Sequence, residues 1–182
     1  IQRQISSKLL HNPLIGDIRQ QLQEKLREQG KECKCVRCNE IGFHPDAQGP
    51  WDIKITTSTS HDGKEWFITW QNPHGIIVGL VRLRIPHEPF LPEITKRSLL
   101  VRELHVYGRE VPIDAQGAQS QHKGVGKILM LETERIAAEH GCDKIVVISG
   151  VGVRDYYRKL GYVLEGSYMT KTVAKPVTSV AA

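Results

Sequence analysis

Nothing in the sequence resembles a membrane span: no run approaches the ~18 uninterrupted apolar residues that one requires. Nor does it open like a secretory leader. Ile1 to Lys8 is polar rather than basic and then apolar, and the chain reads as cut from something longer. No internal repeat is visible. With 40% hydrophobic and 25% charged residues over 182 positions, wholesale disorder and collagen-like order are excluded. The length suits one domain, or one domain with an appendage. Cysteine is scarce, with four residues in all: Cys33, Cys35, Cys38 and Cys142. A disulfide framework spreads its cysteines over the loops it closes, whereas three of these crowd together. That clustering points to a metal site in a reducing compartment, so a cytoplasmic location is expected.

Charge is uneven along the chain. The formal net charge is +5. Residues 1–40 hold eight Lys/Arg against five Asp/Glu, and residues 150–182 five against two, so each end carries +3. The middle, twelve against thirteen, carries −1. Basic ends suit a polyanion such as RNA, and equally a solvated surface.

Periodicity divides the chain into elements. Asp17 opens a helical stretch in which Ile18, Leu22 and Leu26 form one apolar stripe, with Asp17 as N-cap and Gly30 as the stop. Strands are expected at Trp51–Thr56, Glu65–Gln71, Ile76–Ile85 and Leu99–Tyr107, with a turn at His61-Asp62-Gly63-Lys64. A Gly/Gln/Ser-rich loop over 108–120 leads to an amphipathic helix, Gly124–His140. A buried strand, Lys144–Ser149, follows, then a short helix, Val153–Leu160. Two closing strands, Tyr162–Leu164 and Ser167–Val173, complete the pattern. The fold class expected is α+β, with one mixed, mostly antiparallel sheet flanked by helices.

The sharpest local signal is Gln121-His122-Lys123-Gly124-Val125-Gly126, which opens into the long helix. Glycines at a helix start let an anion approach the backbone, and the first-turn N–H groups point at it. The stretch is neither a Walker A loop nor a dinucleotide fingerprint. Taken alone it fits a tight helix entry as well as a phosphate cradle.

Gln-x-x-Gly-x-Gly at a helix start, preceded by a strand and followed by strand, helix and strand, resembles the GNAT acetyltransferase superfamily. The strings VRELHVYG (101–108), QHKGVG (121–126), KIVVISGVGVRDYYRKLGY (144–162) and LEGSYM (164–169) resemble more narrowly the acetyltransferase domain of the Elongator catalytic-subunit family, which modifies the wobble uridine of tRNA. The resemblance covers roughly residues 74–173. It implies a linker helix (1–30) following a missing radical-SAM domain, a zinc-bearing segment (31–50), a GNAT domain (51–175) and a flexible tail (176–182). It also implies an acetyl-CoA-binding enzyme that cleaves acetyl-CoA in a tRNA-dependent way. The 4Fe–4S cluster and S-adenosylmethionine would belong to the upstream domain, whose Cys-x-x-x-Cys-x-x-Cys motif this chain lacks. The partners implied are tRNA and that domain, with a homodimer left open and no membrane. The alternative activity is protein lysine acetylation.

By the same resemblance Glu103, Leu104, His105 and Val106 line the pantetheine arm. Lys123, Gly124, Val125, Gly126, Lys127 and Ile128 hold the diphosphate. In GNAT enzymes a tyrosine at the position of Tyr156 or Tyr157 faces the thioester sulfur, where a phenol can protonate the leaving thiolate. Neighbours on a helix point ~100° apart, so one of the two is expected to face it, with Tyr157 as the cofactor contact and Tyr156 in support. A pair of core tyrosines remains the other reading. Glu103 either orients a water or accepts a proton, or is a structural carboxylate paired with Arg102 or Arg82. Cys33, Cys35 and Cys38 are the expected ligands of one structural Zn²⁺, the alternative being reduced surface thiols. The fourth ligand is open between His44, His11, a carboxylate and a group outside the chain. Cys142 is expected to serve packing.

Overall fold

The computed structural model describes residues 18–61, 63–108 and 124–173. The chain divides into two compact units, Ile1–Cys38 and Asn39–Ala182. Among the described residues no helix is long and apolar enough to cross a membrane.

In the first unit, helix α1 (Ile18–Glu28) carries the predicted stripe, yet none of its residues is buried. Gly30, at φ 64°, closes it. The Gly30 N–H donates to Arg27 O at 2.9 Å and the Lys31 N–H to Leu26 O at 2.8 Å. Those two bonds form a Schellman cap, which satisfies carbonyls that the last turn leaves open. The proposed N-cap, Asp17, lies outside the described residues. A single 3₁₀ turn, Val36–Cys38, ends the unit.

The second unit is a seven-stranded sheet in the order β1-β2-β3-β4-β5-β7-β6. Its strands are β1 (Asp52–Ser60), β2 (Gly63–Gln71), β3 (Ile77–Pro86), β4 (Ser98–Val106), β5 (Lys144–Val147), β6 (Val163–Glu165) and β7 (Tyr168–Thr172). Among the described strands only β4 and β5 pair in parallel. Helix α2 (Val125–Glu139) lies between β4 and β5 in sequence, as a parallel connection requires. Helix α3 (Arg154–Lys159) lies between β5 and β6. The expected α+β mixed sheet is present.

β1 extends past the predicted Thr56 because the hairpin registers Ser60 against Gly63 and prolongs the ladder. The turn residue Asp62 lies outside the described set. Gly63 has φ 130°, and a Cβ there would strike the Ile85 carbonyl of β3, so no larger residue fits.

α2 packs across β2 to β5 through Val125, Leu129, Met130, Thr133, Ile136 and Ala137. Facing them in the core are Trp66, Ile68, Val81, Leu83, Val101, Ile145 and Val147. The close approach depends on Gly79 in β3. A Cβ there would come within 2.8 Å of Val125 Cγ1 and 3.2 Å of Leu129 Cδ1. Glycine inside a strand costs backbone entropy, and here it seats the start of α2 against the sheet. Cys142 is buried among these residues, and burial pushes its thiol pKa up. This is the packing role expected for it.

Candidate active site and metal centre

β4 and β5 diverge. They pair only from Ser98–Val101 against Lys144–Val147. A last bond runs from the Ile148 N–H to Val101 O at 3.2 Å. Beyond it β4 continues to Val106 along β3 alone. The divergence begins at a bulge. Arg82 pairs with Glu103 and Leu83 with Val101, so Arg102 is the extra residue. A bulge twists its strand and re-aims the chain that follows. From Arg102 to Val106 the edge of β4 toward β5 therefore has no strand partner among the described residues. Such an edge is a template for an extended ligand that carries amides of its own.

The bulge also sorts the side chains. Leu104 packs against the core, and Val106 is 40% exposed. Glu103 pairs with Arg82 at 3.8 Å, both largely exposed, while Arg102 donates instead to Glu65 at 3.0 Å. His105 is exposed and stacks on Tyr107, ring centroids 4.3 Å apart.

At the far end of this edge stands the start of α2. Gly124 is its N-cap at φ 97°, with no side-chain cap bond and no acidic residue in the first turn. The first helical bond, Ile128 N–H to Gly124 O at 2.9 Å, leaves the N–H groups of Val125, Gly126 and Lys127 without helical acceptors. With the dipole's positive end and the Lys127 ammonium, that turn suits a diphosphate. Val125 is buried, Ile128 half-buried and Lys127 exposed. Lys123 lies outside the described residues.

The two tyrosines separate. Tyr157 is 5% exposed and packs edge-on against Tyr162 within the core. Tyr156 is 38% exposed. Its hydroxyl lies 2.5 Å from where a Cβ on Gly126 would stand, and Val106 Cγ2 is 3.6 Å from the same point. Tyr156 Oη, the first turn of α2 and the free end of β4 therefore meet. Burial raises the phenol pKa of Tyr156, and that of Tyr157, where the Tyr156 charge adds to it. Beyond β5 the chain exposes apolar Ile148, Val151 and Val153. The sequence reading did not single out Gly79, although a glycine inside an apolar strand was the available signal.

A scan against family models matches residues 36–162 to the acetyltransferase (GNAT) family. The chain belongs to the GNAT acetyltransferase family. Among its relatives, the Elongator complex protein 3 of Drosophila melanogaster is 40% identical over 182 residues, covering 95% of this chain and 33% of that protein. A tRNA uridine(34) acetyltransferase of Methanocaldococcus infernus is 41% identical over 156 residues, covering 80% of this chain and 29% of the relative. A solved structure of the archaeal Methanocaldococcus infernus Elp3 superposes with a TM-score of 0.72 at 38% identity, covering 82% of this chain and 37% of that one. This GNAT chain thus spans about a third of the length of the curated relatives it matches.

In the first unit the sulfurs of Cys33, Cys35 and Cys38 all lie within 4.8 Å of one another. Thiolates sharing one ion at a Zn–S distance of about 2.3 Å stand roughly 3.8 Å apart, so the cluster is compact enough for one metal ion. Burial opposes ionisation of Cys38, but hydrogen bonds from Gln23, Arg19 and the neighbouring thiols bring its pKa down to about 7. Of the expected fourth ligands, His11 lies outside the described residues. His44 belongs to the second unit, after the 3₁₀ turn Ile41–Phe43.

Proposed function

We propose that this chain is the acetyl-CoA-binding domain of a tRNA wobble-uridine modifying enzyme, and that it cleaves acetyl-CoA when tRNA is bound. The observation that carries the reading is the meeting of three elements: the unpaired β4 edge, the uncapped start of α2 and the Tyr156 hydroxyl. The edge from Arg102 to Val106 pairs with the amides of the pantetheine arm. The N–H groups of Val125, Gly126 and Lys127 take the diphosphate, with Lys123 as the added cation. Tyr156 replaces Tyr157 in the acid role, because its hydroxyl reaches the cleft while Tyr157 is packed in the core. In hydrolysis, water adds to the thioester carbonyl carbon and the C–S bond breaks. The Tyr156 phenol supplies the proton that the departing thiolate takes up, and the proton lost by the attacking water restores the phenol through solvent. Glu103, exposed and paired with Arg82 at 3.8 Å, is the carboxylate assigned to orient that water.

The relative from Methanocaldococcus infernus, a tRNA uridine(34) acetyltransferase, supports tRNA as the partner, and the basic excess at both chain ends fits a phosphate backbone. The radical step, with its 4Fe–4S cluster and S-adenosylmethionine, belongs to a domain outside this chain, and the site of action is the cytoplasm. Zn²⁺ fits Cys33, Cys35 and Cys38 as a structural ion.

The test is titration with a non-hydrolysable acetyl-CoA analogue, together with assays of CoA thiol release with and without tRNA. Gly126→Asp should abolish analogue binding in a folded protein, and tRNA should stimulate release. Unchanged analogue affinity would refute the cleft. Turnover with a lysine peptide and indifference to tRNA would assign the domain to protein acetylation instead.

A further inference from the structure

We propose that Arg19 and Gln23 of α1 form the outer shell of the metal ion held by Cys33, Cys35 and Cys38, so that metal binding and the ordering of α1 are one event. The inference concerns the first unit alone and does not depend on the acetyl-CoA reading.

Arg19 and Gln23 are one turn apart on a single face of the helix. Arg19 Nη2 donates to Cys35 Sγ at 3.4 Å and to Cys38 Sγ at 3.3 Å. Gln23 Nε2 donates to Cys38 Sγ at 3.2 Å. Both side chains thus present N–H donors to sulfur, the arrangement that suits thiolates. Three thiolates around a dication leave one net negative charge, and the guanidinium cancels it. A single guanidinium nitrogen, Nη2, reaches both sulfurs, and the planar group that carries it stays charged and is more weakly hydrated than an ammonium.

Among the described residues the first turn of α1 carries Arg19, a cation at the helix end where the dipole favours anions, and the thiolates bring negative charge to it. The helix has 11 residues and buries none of them. At that length, propensity alone does not hold a helix in water, and tertiary contacts must. The contacts from Arg19 and Gln23 run to the cysteine sulfurs. Removing the ion leaves neutral or mutually repelling thiols, weak acceptors that no longer tie the first two turns down.

The experiment uses the whole 182-residue chain with Zn²⁺ as the probe. Competition against a chromophoric chelator should show Arg19→Ala binding zinc roughly 10- to 100-fold more weakly, the range for lost outer-shell partners. Arg19→Lys should fall between, and Gln23→Ala should lose less than Arg19→Ala. Arg27→Ala removes the same charge from the last turn and should bind zinc as the parent does. Alanine is the better helix former, so a weakened helix in Arg19→Ala would not reflect propensity. Hydrogen exchange supplies the second readout. On zinc removal the amides over 22–28 should lose protection, while those of β4 and β5 keep theirs. Zinc affinity within twofold of the parent in both Arg19→Ala and Gln23→Ala would overturn the outer-shell assignment. Continued protection of α1 after zinc removal would overturn the coupling. If Arg19→Ala does not fold, Arg19→Lys and Gln23→Ala decide the first point.

Discussion

The proposed acyl-CoA cleft and the cysteine knuckle organise polar chemistry in opposite ways. The cleft stands on a core: Val101, Val147, Leu129 and Met169 are each at most 1% exposed. Burial holds β4 and β5 together below the bulge, so they can part above it. Among the described residues the knuckle lacks such a core, for α1 buries none of its own. There, on the proposal made above, side chains that ligate or surround an ion do the holding. A site backed by a core keeps its shape without its ligand, whereas one built on coordination takes its shape with it.

The sharpest way to break this comparison is to cut one methyl cluster in each region. Leu129→Ala should destabilise the second unit by about 2–5 kcal/mol, as large-to-small changes in packed cores do. Leu22→Ala, at a residue 53% exposed, should cost within about 0.5 kcal/mol. Urea unfolding followed by tryptophan fluorescence measures the first, since Trp66 lies in the same core as Leu129, and hydrogen exchange of the α1 amides measures the second. A costly Leu22→Ala would mean that α1 is held by burial after all.

Next in size is the division of labour between the tyrosines. Tyr156→Phe should lower tRNA-stimulated CoA release by ~10²-fold, the scale of a lost general acid. Tyr157→Phe, which removes a hydroxyl packed in the core, should leave release within about threefold, while Tyr156→Phe leaves the melting temperature nearly unchanged. The reverse pattern would return the acid role to Tyr157. The pH profile sharpens the point. Burial raises the Tyr156 pKa above its ordinary 10, so the phenol keeps its proton to higher pH than a free tyrosine. Release should therefore show no loss from this group until the pH exceeds about 10. An alkaline limb near neutrality that vanishes in Tyr156→Phe would contradict the assignment.

A smaller effect is expected at Gly126→Ala. The new Cβ would crowd Tyr156 Oη, whereas the N–H groups of the turn are unchanged. CoA release should drop by about tenfold, with analogue affinity held within a few-fold. Equal losses in both would show that the turn, not the tyrosine, needs the glycine. The least change is expected at the Arg82–Glu103 pair, whose partners are 60% and 44% exposed. Arg82→Ala should cost at most about 1 kcal/mol in urea unfolding. A larger loss would make Glu103 a structural carboxylate rather than a free one.

Much of the second unit was legible in advance, because period and turn chemistry are local. The alternation at Leu80–Arg84, the Asp-Gly hairpin and the 3.6-residue pattern of α2 each needed only a few neighbouring residues. Gly30 as a helix stop was legible for the same reason. The cysteine cluster declared itself by spacing. The fate of the tyrosines was not legible. Tyr156 and Tyr157 have the same composition and adjoin in sequence, and only the docking of α3 decides which points at Gly126 and which at Tyr162. For Glu103 the sequence left Arg102 and Arg82 open as partners, and only the structure chose Arg82 and gave Arg102 to Glu65. The bulge at Arg102 shifts the register by one, which sends Arg102 to Glu65 and leaves Glu103 opposite Arg82.

The sequence by itself determined which segments are strand or helix, where α2 starts on glycine, and which three thiols can share an ion. Each of these depends on φ/ψ preferences, on hydrophobic period or on short chain separations, and all are properties of neighbours along the chain. Only the tertiary structure decided where β4 leaves β5, which tyrosine reaches the cleft, and that Arg19 and Gln23 face the thiols. Those depend on one-residue register and on how helices dock, and side chains distant in sequence meet only once burial or coordination has fixed both.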